Sequence, residues 1–154
     1  MGFLSCGDLL AQNPRSVVVT AFAGRPSAYP PRTSWDERGG FDDGADVVAA
    51  RQQEDERALT MLGARPHWLS FPDPQYGPRP LSTDVAGALS TVLDTMTPDV
   101  VAMPLGIFHD DHTLTGDAAI DAVRVHRPPI WLVYADAIYR RVPDLVHRRL
   151  RRLN

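Results

Sequence analysis

Short apolar runs alternate along the chain with segments of helical periodicity. SVVVTAFA, residues 16–23, is apolar on both faces of an extended chain, which is typical of a strand buried within a sheet. Three further runs predict partner strands: HWLSF at 67–71, DVVAMP at 99–104 and PIWLVY at 129–134. Helical patterns separate the runs, at 46–62, 83–96 and 114–125. Strands and helices in this order predict an α/β fold with a mostly parallel sheet.

Residues with capping preferences mark the predicted ends of these helices. Gly63 suits the end of the first helix, because glycine adopts the left-handed conformation that closes many helices. Ser82 or Thr83 suits the start of the second helix, which stops before Pro98. FLSCGDLLAQNP, residues 3–14, predicts a short helix ahead of the first strand.

Two irregular segments follow predicted strands. Residues 24–44 are rich in proline and glycine, contain Trp35 and Phe41 and show no sustained period, which is typical of a long loop. PDPQYGPRP, residues 72–80, is a second irregular connection. Loops that follow parallel strands gather at one edge of the sheet, where open α/β folds bind their ligands. We therefore expect both loops to meet the connection after 99–104 there. The first loop is either functional or disordered, and its aromatic residues beside glycines favour a lid over a substrate rather than a tail.

The size and charge of the chain narrow the classes of function. A chain of 154 residues suits a single domain with one core. A formal net charge of -3, with acidic and basic residues interleaved, argues against nucleic acid or an anionic membrane as a partner. The single cysteine, Cys6, fits a reducing cytoplasm, and no apolar run reaches the length of a membrane span. RRLRR, residues 148–152, is interpreted as a solvated face of a terminal helix rather than a phosphate-binding patch.

Two histidines three residues apart are the clearest candidates for chemistry. His109 and His112 flank Asp110 and Asp111 in GIFHDDHTL, directly after the strand predicted at 99–104. Neutral imidazoles bind zinc, and neighbouring carboxylates orient them, so the pair indicates part of a metal site. Two imidazoles fall short of the three protein ligands of a catalytic zinc, and the same residues suit an ordinary polar loop. The residues alone leave both interpretations open.

A charged helix and a carboxylate between prolines supply two further candidates. Arg51 begins RQQEDERALTMLG, where it either pairs with Asp55 on the helix surface or points to the loops and holds a polar or anionic substrate group. Asp73 follows a predicted strand and suits either a turn or a binding pocket. The H-E-x-x-H, G-x-S-x-G, P-loop and G-x-G-x-x-G motifs are absent from the sequence, so nucleotide-phosphate chemistry loses its usual sequence support.

Seven blocks of sequence, taken in order, give the chain a resemblance to a known family. They are LSCGDLLA, VVVTAFAG, WDERGGF, R-x-x-E-x-x-x-A-x-x-x-LG from Arg51 to Gly63, WLSFPDPQYG, PLGIFHDDH and WLVYADAIYRR. In this order and spacing, over nearly the whole chain, they resemble the PIG-L or LmbE-like family of zinc-dependent N-acetylglucosaminyl deacetylases. Members commonly have H-P-D-H where this chain has HDDH, so Asp110 replaces a proline.

The resemblance implies a fold, a reaction and a role for each candidate residue. The fold implied is a Rossmann-like three-layer α/β domain, and the reaction is hydrolysis of an N-acetyl group on an N-acetylglucosamine-type sugar conjugate by a zinc-activated water. By the same resemblance His112 is a zinc ligand, His109 assists the tetrahedral intermediate and Asp111 orients an imidazole. Arg51 would help to bind the substrate, and Asp73 is a pocket candidate.

The resemblance also identifies what the sequence lacks. In the family an H-x-D-D motif follows the first strand and supplies the other metal ligands and the base, and here Met1 falls where that motif should end. We expect an N-terminally truncated domain without its central first strand, unstable as a monomer and open to oligomer formation. Since one imidazole cannot hold a catalytic zinc firmly, we expect weak or absent zinc binding and no activity. The alternative is a noncatalytic α/β module that binds a carbohydrate or a protein.

Overall fold

In the computed structural model of this chain, residues 2–137, 139 and 141–153 are described. The backbone separates into two compact units. One unit consists of the residues up to Gly7 and from Leu81 onward, and the other is Asp8–Pro80. A helix, α1, spans Gly2–Gln12 and confirms the helix predicted at 3–14. The prediction of a single domain over the whole chain stays a prediction.

The unit Asp8–Pro80 contains two strands and the helix that separates them in sequence. Strands β1, Val17–Thr20, and β2, Arg65–Trp68, pair in parallel along their whole length. The helix that separates them, α3 in chain order, spans Val47–Met61 and is followed by Gly63 at φ +67. The left-handed conformation of Gly63 ends the helix as predicted, because glycine pays no steric penalty there.

The segment 24–44 contains a short helix that its composition did not predict. This helix, α2, spans Ser34–Arg38 and follows Thr33, whose hydroxyl accepts a hydrogen bond from the Asp36 N–H at 3.1 Å. A threonine cap followed by acidic residues is a local start signal for a helix. A helix of five residues is too short to show the hydrophobic period that reveals longer helices.

Asp36 anchors this segment within its own unit. The residue is only 3% exposed, and one carboxylate oxygen accepts a hydrogen bond from the Tyr76 hydroxyl at 2.6 Å. The other oxygen accepts from the Thr33 hydroxyl at 2.8 Å. Because a buried carboxylate is stable only when its oxygens are paired, these contacts hold the segment in place. Burial, and then the hydrogen bond to Asp36, raise the pKa of Tyr76, so this hydroxyl stays a donor.

The other unit contains a second pair of parallel strands. They are β3, Val100–Pro104, and β4, Ile130–Tyr134, which pair along their whole length. Helices α4, Ser82–Met96, and α5, Asp110–His126, contact each other, and α6 spans Leu145–Leu153. The parallel strand pairs and the intervening helices confirm the predicted α/β class. Among the described residues, no helix is long and apolar enough to cross a bilayer.

The connection between β3 and α5 is a tight turn at Gly106. Gly106 has φ +74, and a Cβ on it would lie 2.6 Å from the carbonyl oxygen of His112. Gly116 of α5 approaches the same turn, since a Cβ on Gly116 would lie 3.1 Å from the Cα of Gly106. Leu105 and Ile107, on either side of the glycine, are buried. Only glycine therefore fits at position 106 without a shift of the backbone.

The start of α5 differs from the predicted start at 114. The helix begins at Asp110, so Asp110, Asp111 and His112 form its first turn instead of a loop. Carboxylates are favourable there, because the amino end of a helix carries partial positive charge. The apolar period of the helix begins only at Leu114, which is why the pattern concealed the polar first turn.

Three smaller predictions are also corrected. β2 begins two residues earlier than the predicted 67–71, at Arg65. Neither Ser82 nor Thr83 is the N-cap of α4, since Leu81 occupies that position without a side-chain hydrogen bond. The interpretation of RRLRR as a solvated face is wrong at Arg149, which is buried because its guanidinium pairs with Asp117.

We expect Gly24→Ala to destabilise the protein. A Cβ on Gly24 would lie 2.1 Å from the backbone oxygen of Ser70, so the strand connection must shift. The loss in the free energy of unfolding should be about 1–3 kcal/mol, measured by urea denaturation. Gly87→Ala is the matched control: nothing lies within 4 Å of its Cβ position in α4, and alanine there should raise stability by about 0.5–1 kcal/mol. Equal stability of the two variants would contradict the close approach at Gly24.

We expect Tyr76→Phe to lower the free energy of unfolding by about 1.5–3 kcal/mol, the range for a hydrogen bond to a charged group. The variant leaves the buried carboxylate of Asp36 without its shortest contact, at 2.6 Å. Tyr29→Phe is the control: its hydroxyl donates to the exposed Asp46 at 2.7 Å and accepts from the Val48 N–H at 3.1 Å, and neither partner is a buried carboxylate, so the loss should be smaller. A larger loss for Tyr29→Phe than for Tyr76→Phe in urea denaturation would refute the role of Asp36 as an anchor.

Candidate functional site

The predicted histidine pair lies at the amino end of α5. His109 is the N-cap of the helix, with φ -78 and ψ 143, and its backbone N–H donates to the carbonyl of Ile107 at 3.0 Å. His112 lies in the first turn and is largely buried, whereas His109 is exposed. The two ring centroids are 6.0 Å apart. The structure thus brings the two imidazoles together on one side of the helix start.

A buried carboxylate faces the ring of His112. Asp136, two residues after β4, is 4% exposed, and its Oδ2 lies 3.2 Å from His112 Nδ1. The contact lacks the alignment of a hydrogen bond, so among the described residues Oδ2 has no hydrogen-bond partner. A buried carboxylate oxygen in this state is costly, and the Nδ1–H of His112 is the donor that a small rotation would supply. Such a contact leaves Nε2 of the imidazole available for other chemistry.

No role was predicted for Asp136, although the sequence held a signal for it. β3 and β4 are parallel neighbours, so the segments that follow them meet at the same edge of this strand pair. The carboxylate in WLVYAD follows β4 as directly as the histidines follow β3. The predicted role of Asp111 as the carboxylate that orients an imidazole stays a prediction. Asp111 lies half-buried in the first turn of α5, and Asp110 beside it is exposed.

An aromatic pair lies beside the two histidines. Phe108 is 60% exposed, has φ +72 and stacks on Tyr139, with ring centroids 4.5 Å apart and planes 19° apart. The Tyr139 ring lies 5.7 Å from the ring of His112 and 6.0 Å from that of His109. Burial, and then the charge of Asp136, raise the pKa of Tyr139. The phenol therefore stays protonated at neutral pH.

Arg51 and Asp73 lie together in the unit Asp8–Pro80. Arg51 Nη2 lies 3.3 Å from Asp36, Nη1 lies 4.0 Å from Asp73, and the guanidinium lies 5.8 Å above the ring of Phe41. Arg51 therefore points to the irregular segments and does not pair with Asp55 one turn along α3. Asp73 forms a turn, since its carboxylate accepts from the Gln75 N–H at 3.0 Å. The roles predicted for both residues in substrate binding stay predictions.

The described residues do not complete a zinc site. A catalytic zinc needs three protein ligands, and in the described part of the chain no three histidine, cysteine, aspartate or glutamate side chains form such a group. His112 with Asp136 behind it suits one ligand and its supporting carboxylate. Burial, and then the charge of Asp136, raise the pKa of Cys6, which disfavours the thiolate that a metal requires. His112 and Asp136 therefore fit one part of a zinc site, a ligand and its supporting carboxylate.

Solved structures of deacetylases resemble this chain. It aligns with the A40926 pseudoaglycone deacetylase at 29% identity and a TM-score of 0.74, over 86% of this chain and 59% of that protein. It aligns with a deacetylase triple mutant from the teicoplanin biosynthetic pathway at 29% identity and a TM-score of 0.77, over 91% and 62% of the two chains. The zinc-inhibited form of teicoplanin deacetylase aligns at 26% identity and a TM-score of 0.74, over 86% and 63%.

The chain spans less than two thirds of the length of each of these three proteins. No curated protein matches it. A profile of the PIG-L family, described as GlcNAc-PI de-N-acetylase, matches residues 3–123, which include the histidine pair, Arg51 and Asp73. This match covers most of the sequence and agrees with the deacetylase structures in fold. The chain therefore belongs to the PIG-L family.

Proposed function

We propose that this protein acts in the removal of an N-acetyl group from an N-acetylglucosamine-type sugar conjugate, and that this chain supplies the histidine part of the site. The observation that carries the proposal is the pair His109 and His112 at the start of α5, with His112 against the buried carboxylate of Asp136. The two histidines lie in HDDH, the motif to which the family resemblance assigns a metal ligand and a residue that assists the tetrahedral intermediate. The family description, GlcNAc-PI de-N-acetylase, supports an N-acetylated sugar conjugate as the substrate class, and the deacetylases among the similar structures support the reaction.

Each residue has a distinct task in this proposal. The His109 side chain donates a proton or a hydrogen bond to the acetamide as negative charge develops on its oxygen. Asp111 orients an imidazole, and His112 is the metal ligand that this chain contributes. Arg51 and Asp73 bind the substrate, and Arg51 is suited to this because the planar guanidinium carries five N–H donors. The family resemblance supports the assignments of His109, Asp111, His112 and Arg51. Asp73 is the weaker candidate, and its assignment rests on its position directly after a predicted strand and between prolines.

We propose further that the residues of this chain do not sustain turnover by themselves. Zinc is the cofactor that the family resemblance implies, and the similar teicoplanin deacetylase was solved in a zinc-inhibited form. One imidazole binds zinc weakly, and no grouping of three possible ligands lies within the described residues. The chain alone should therefore bind less than one zinc ion per chain and release no acetate from an N-acetylglucosamine conjugate.

A noncatalytic module that binds a carbohydrate or a protein is the second candidate. It is favoured by the same lack of three grouped ligands among the described residues, and by Trp35, exposed on the segment that Asp36 anchors. For both candidates we propose a cytoplasmic location and no nucleic acid partner. The deacetylase would act on a small sugar conjugate, and the module would bind a carbohydrate or a protein. Binding of the acetyl group distinguishes the two candidate functions, because only a deacetylase site requires the acetyl group to lie against the histidines.

The test is a titration of the purified chain with p-nitrophenyl N-acetyl-β-glucosaminide, followed on the ring ¹³C–¹H signals of the five histidines. We expect the signals of His109 and His112 to move, while those of His67, His126 and His147 stay. The matched control ligand is p-nitrophenyl β-glucosaminide, which lacks the acetyl group and should move the two signals less.

Other results would decide against parts of the proposal. Equal shifts with both ligands, or shifts confined to the other histidines, would favour the noncatalytic module. No shift with either ligand would contradict the substrate class. Release of acetate by the chain, or one tightly bound zinc per chain in a metal analysis, would overturn the statement that it does not sustain turnover.

A further inference from the structure

Arg149 of α6 is a buried charge with no assigned part in the deacetylase site. Arg149 is only 7% exposed. Its Nε donates a hydrogen bond to the carbonyl oxygen of Leu105 at 2.9 Å, and its Nη2 donates to the Asp117 carboxylate at 2.5 Å. Taking a guanidinium out of water costs several kcal/mol unless its partners are well placed. Both partners belong to the β3–α5 region: Leu105 is the first residue after β3, and Asp117 lies on α5.

The peptide of Leu105 is held on two sides. Its N–H donates to the carbonyl of Tyr134 at the end of β4, at 2.7 Å, and its carbonyl accepts from Arg149. The next residue, Gly106, lies close to the same guanidinium, since a Cβ on it would lie 3.3 Å from Arg149 Nη2. The arginine therefore contacts the turn at the point where the chain leaves the strand pair.

The turn beyond this point is conformationally demanding. Gly106 has φ +74 and Phe108 has φ +72, and His109 follows directly. For a residue with a Cβ, the left-handed conformation costs about 1–2 kcal/mol, so the contacts around the turn must hold it there. The hydroxyl of Thr113 on α5 lies 3.4 Å from the Gly106 carbonyl and 3.1 Å from that of His109. Arg149 adds a contact from a different helix, on the strand side of the turn.

We propose that Arg149 is a positioning residue, which holds the β3–α5 turn in the shape that presents His109 and His112. The proposal rests on the proposed function, in which these histidines form the site. The planar fork of arginine reaches the Leu105 carbonyl and the Asp117 carboxylate together, which the single ammonium of lysine cannot do in the same geometry. α6 lies outside residues 3–123, which match the family profile.

The competing explanation is that Arg149 only docks α6 against α5. Unfolding free energy cannot separate the two, because both predict a loss when the side chain is removed. The ring signals of the histidines can separate them, since docking alone leaves the turn and its imidazoles where they are. The chain offers a matched control on the same helix in Arg151, which is exposed.

The experiment compares Arg149→Met, Arg149→Lys and Arg151→Met by ring ¹³C–¹H spectra at one fixed pH, without ligand or metal. In Arg149→Met we expect the signals of His109 and His112 to move and broaden, while those of His67 stay. Arg149→Lys should move the same two signals by a smaller amount, and Arg151→Met should move neither. Asp117→Asn, which keeps the Leu105 contact, should have a smaller effect than Arg149→Met.

Two results would overturn the proposal. One is a folded Arg149→Met variant whose His109 and His112 signals match those of the parent chain. If Arg149→Met does not fold, the same comparison is made in Arg149→Lys, and unchanged signals there also decide against it. Because no sugar or metal is present, the result stands whether or not the proposed deacetylase function is correct.

Discussion

The turn at Gly106 leaves room for glycine alone, and the arrangement of the histidines depends on it. The chain leaves β3 at Pro104 and enters α5 at Asp110, so only five residues separate the strand from the helix. The backbone of the turn packs against the first turn of α5 and against Gly116. Because the connection is so short and so closely packed, the N-cap position of His109 and the inward position of His112 follow from the path of the backbone.

Buried charges hold the irregular segments that carry the candidate residues. The three buried charged side chains among the described residues are Asp36, Asp136 and Arg149. Asp36 pairs with Tyr76 and anchors the segment 24–44, Asp136 faces His112, and Arg149 bonds to the turn after β3. None of them packs as an apolar core residue would. Asp36 and Arg149 are stabilised by hydrogen bonds to partners 40 and 32 residues away, Tyr76 and Asp117, which fixes the position of the segments that carry them.

Apolar runs predicted the strands and helical periodicity predicted the long helices, although β2 and the start of α5 lie several residues from their predicted bounds. β3 and β4 lie within one residue of their predicted bounds, and the end of α3 at Gly63 follows from the conformation of glycine. The helix α2 and the first turn of α5 were missed, since both are short and polar. Asp36 and Arg149 could not be assigned from pattern, because Tyr76 lies 40 residues from Asp36 and Asp117 lies 32 residues from Arg149. Asp136 could have been found, since it follows β4 as the histidines follow β3. The histidine pair was found from its spacing, and its chemical role from the family resemblance.

The most direct test of this account is Gly106→Ala, followed by urea denaturation and by the ring signals of the histidines. A Cβ at this position would lie 2.6 Å from the carbonyl oxygen of His112, and the left-handed backbone adds strain. The free energy of unfolding should fall by about 2 kcal/mol or more, and the signals of His109 and His112 should move while that of His67 stays. A variant as stable as the parent chain, with every histidine signal unchanged, would contradict the claim that this turn sets the site.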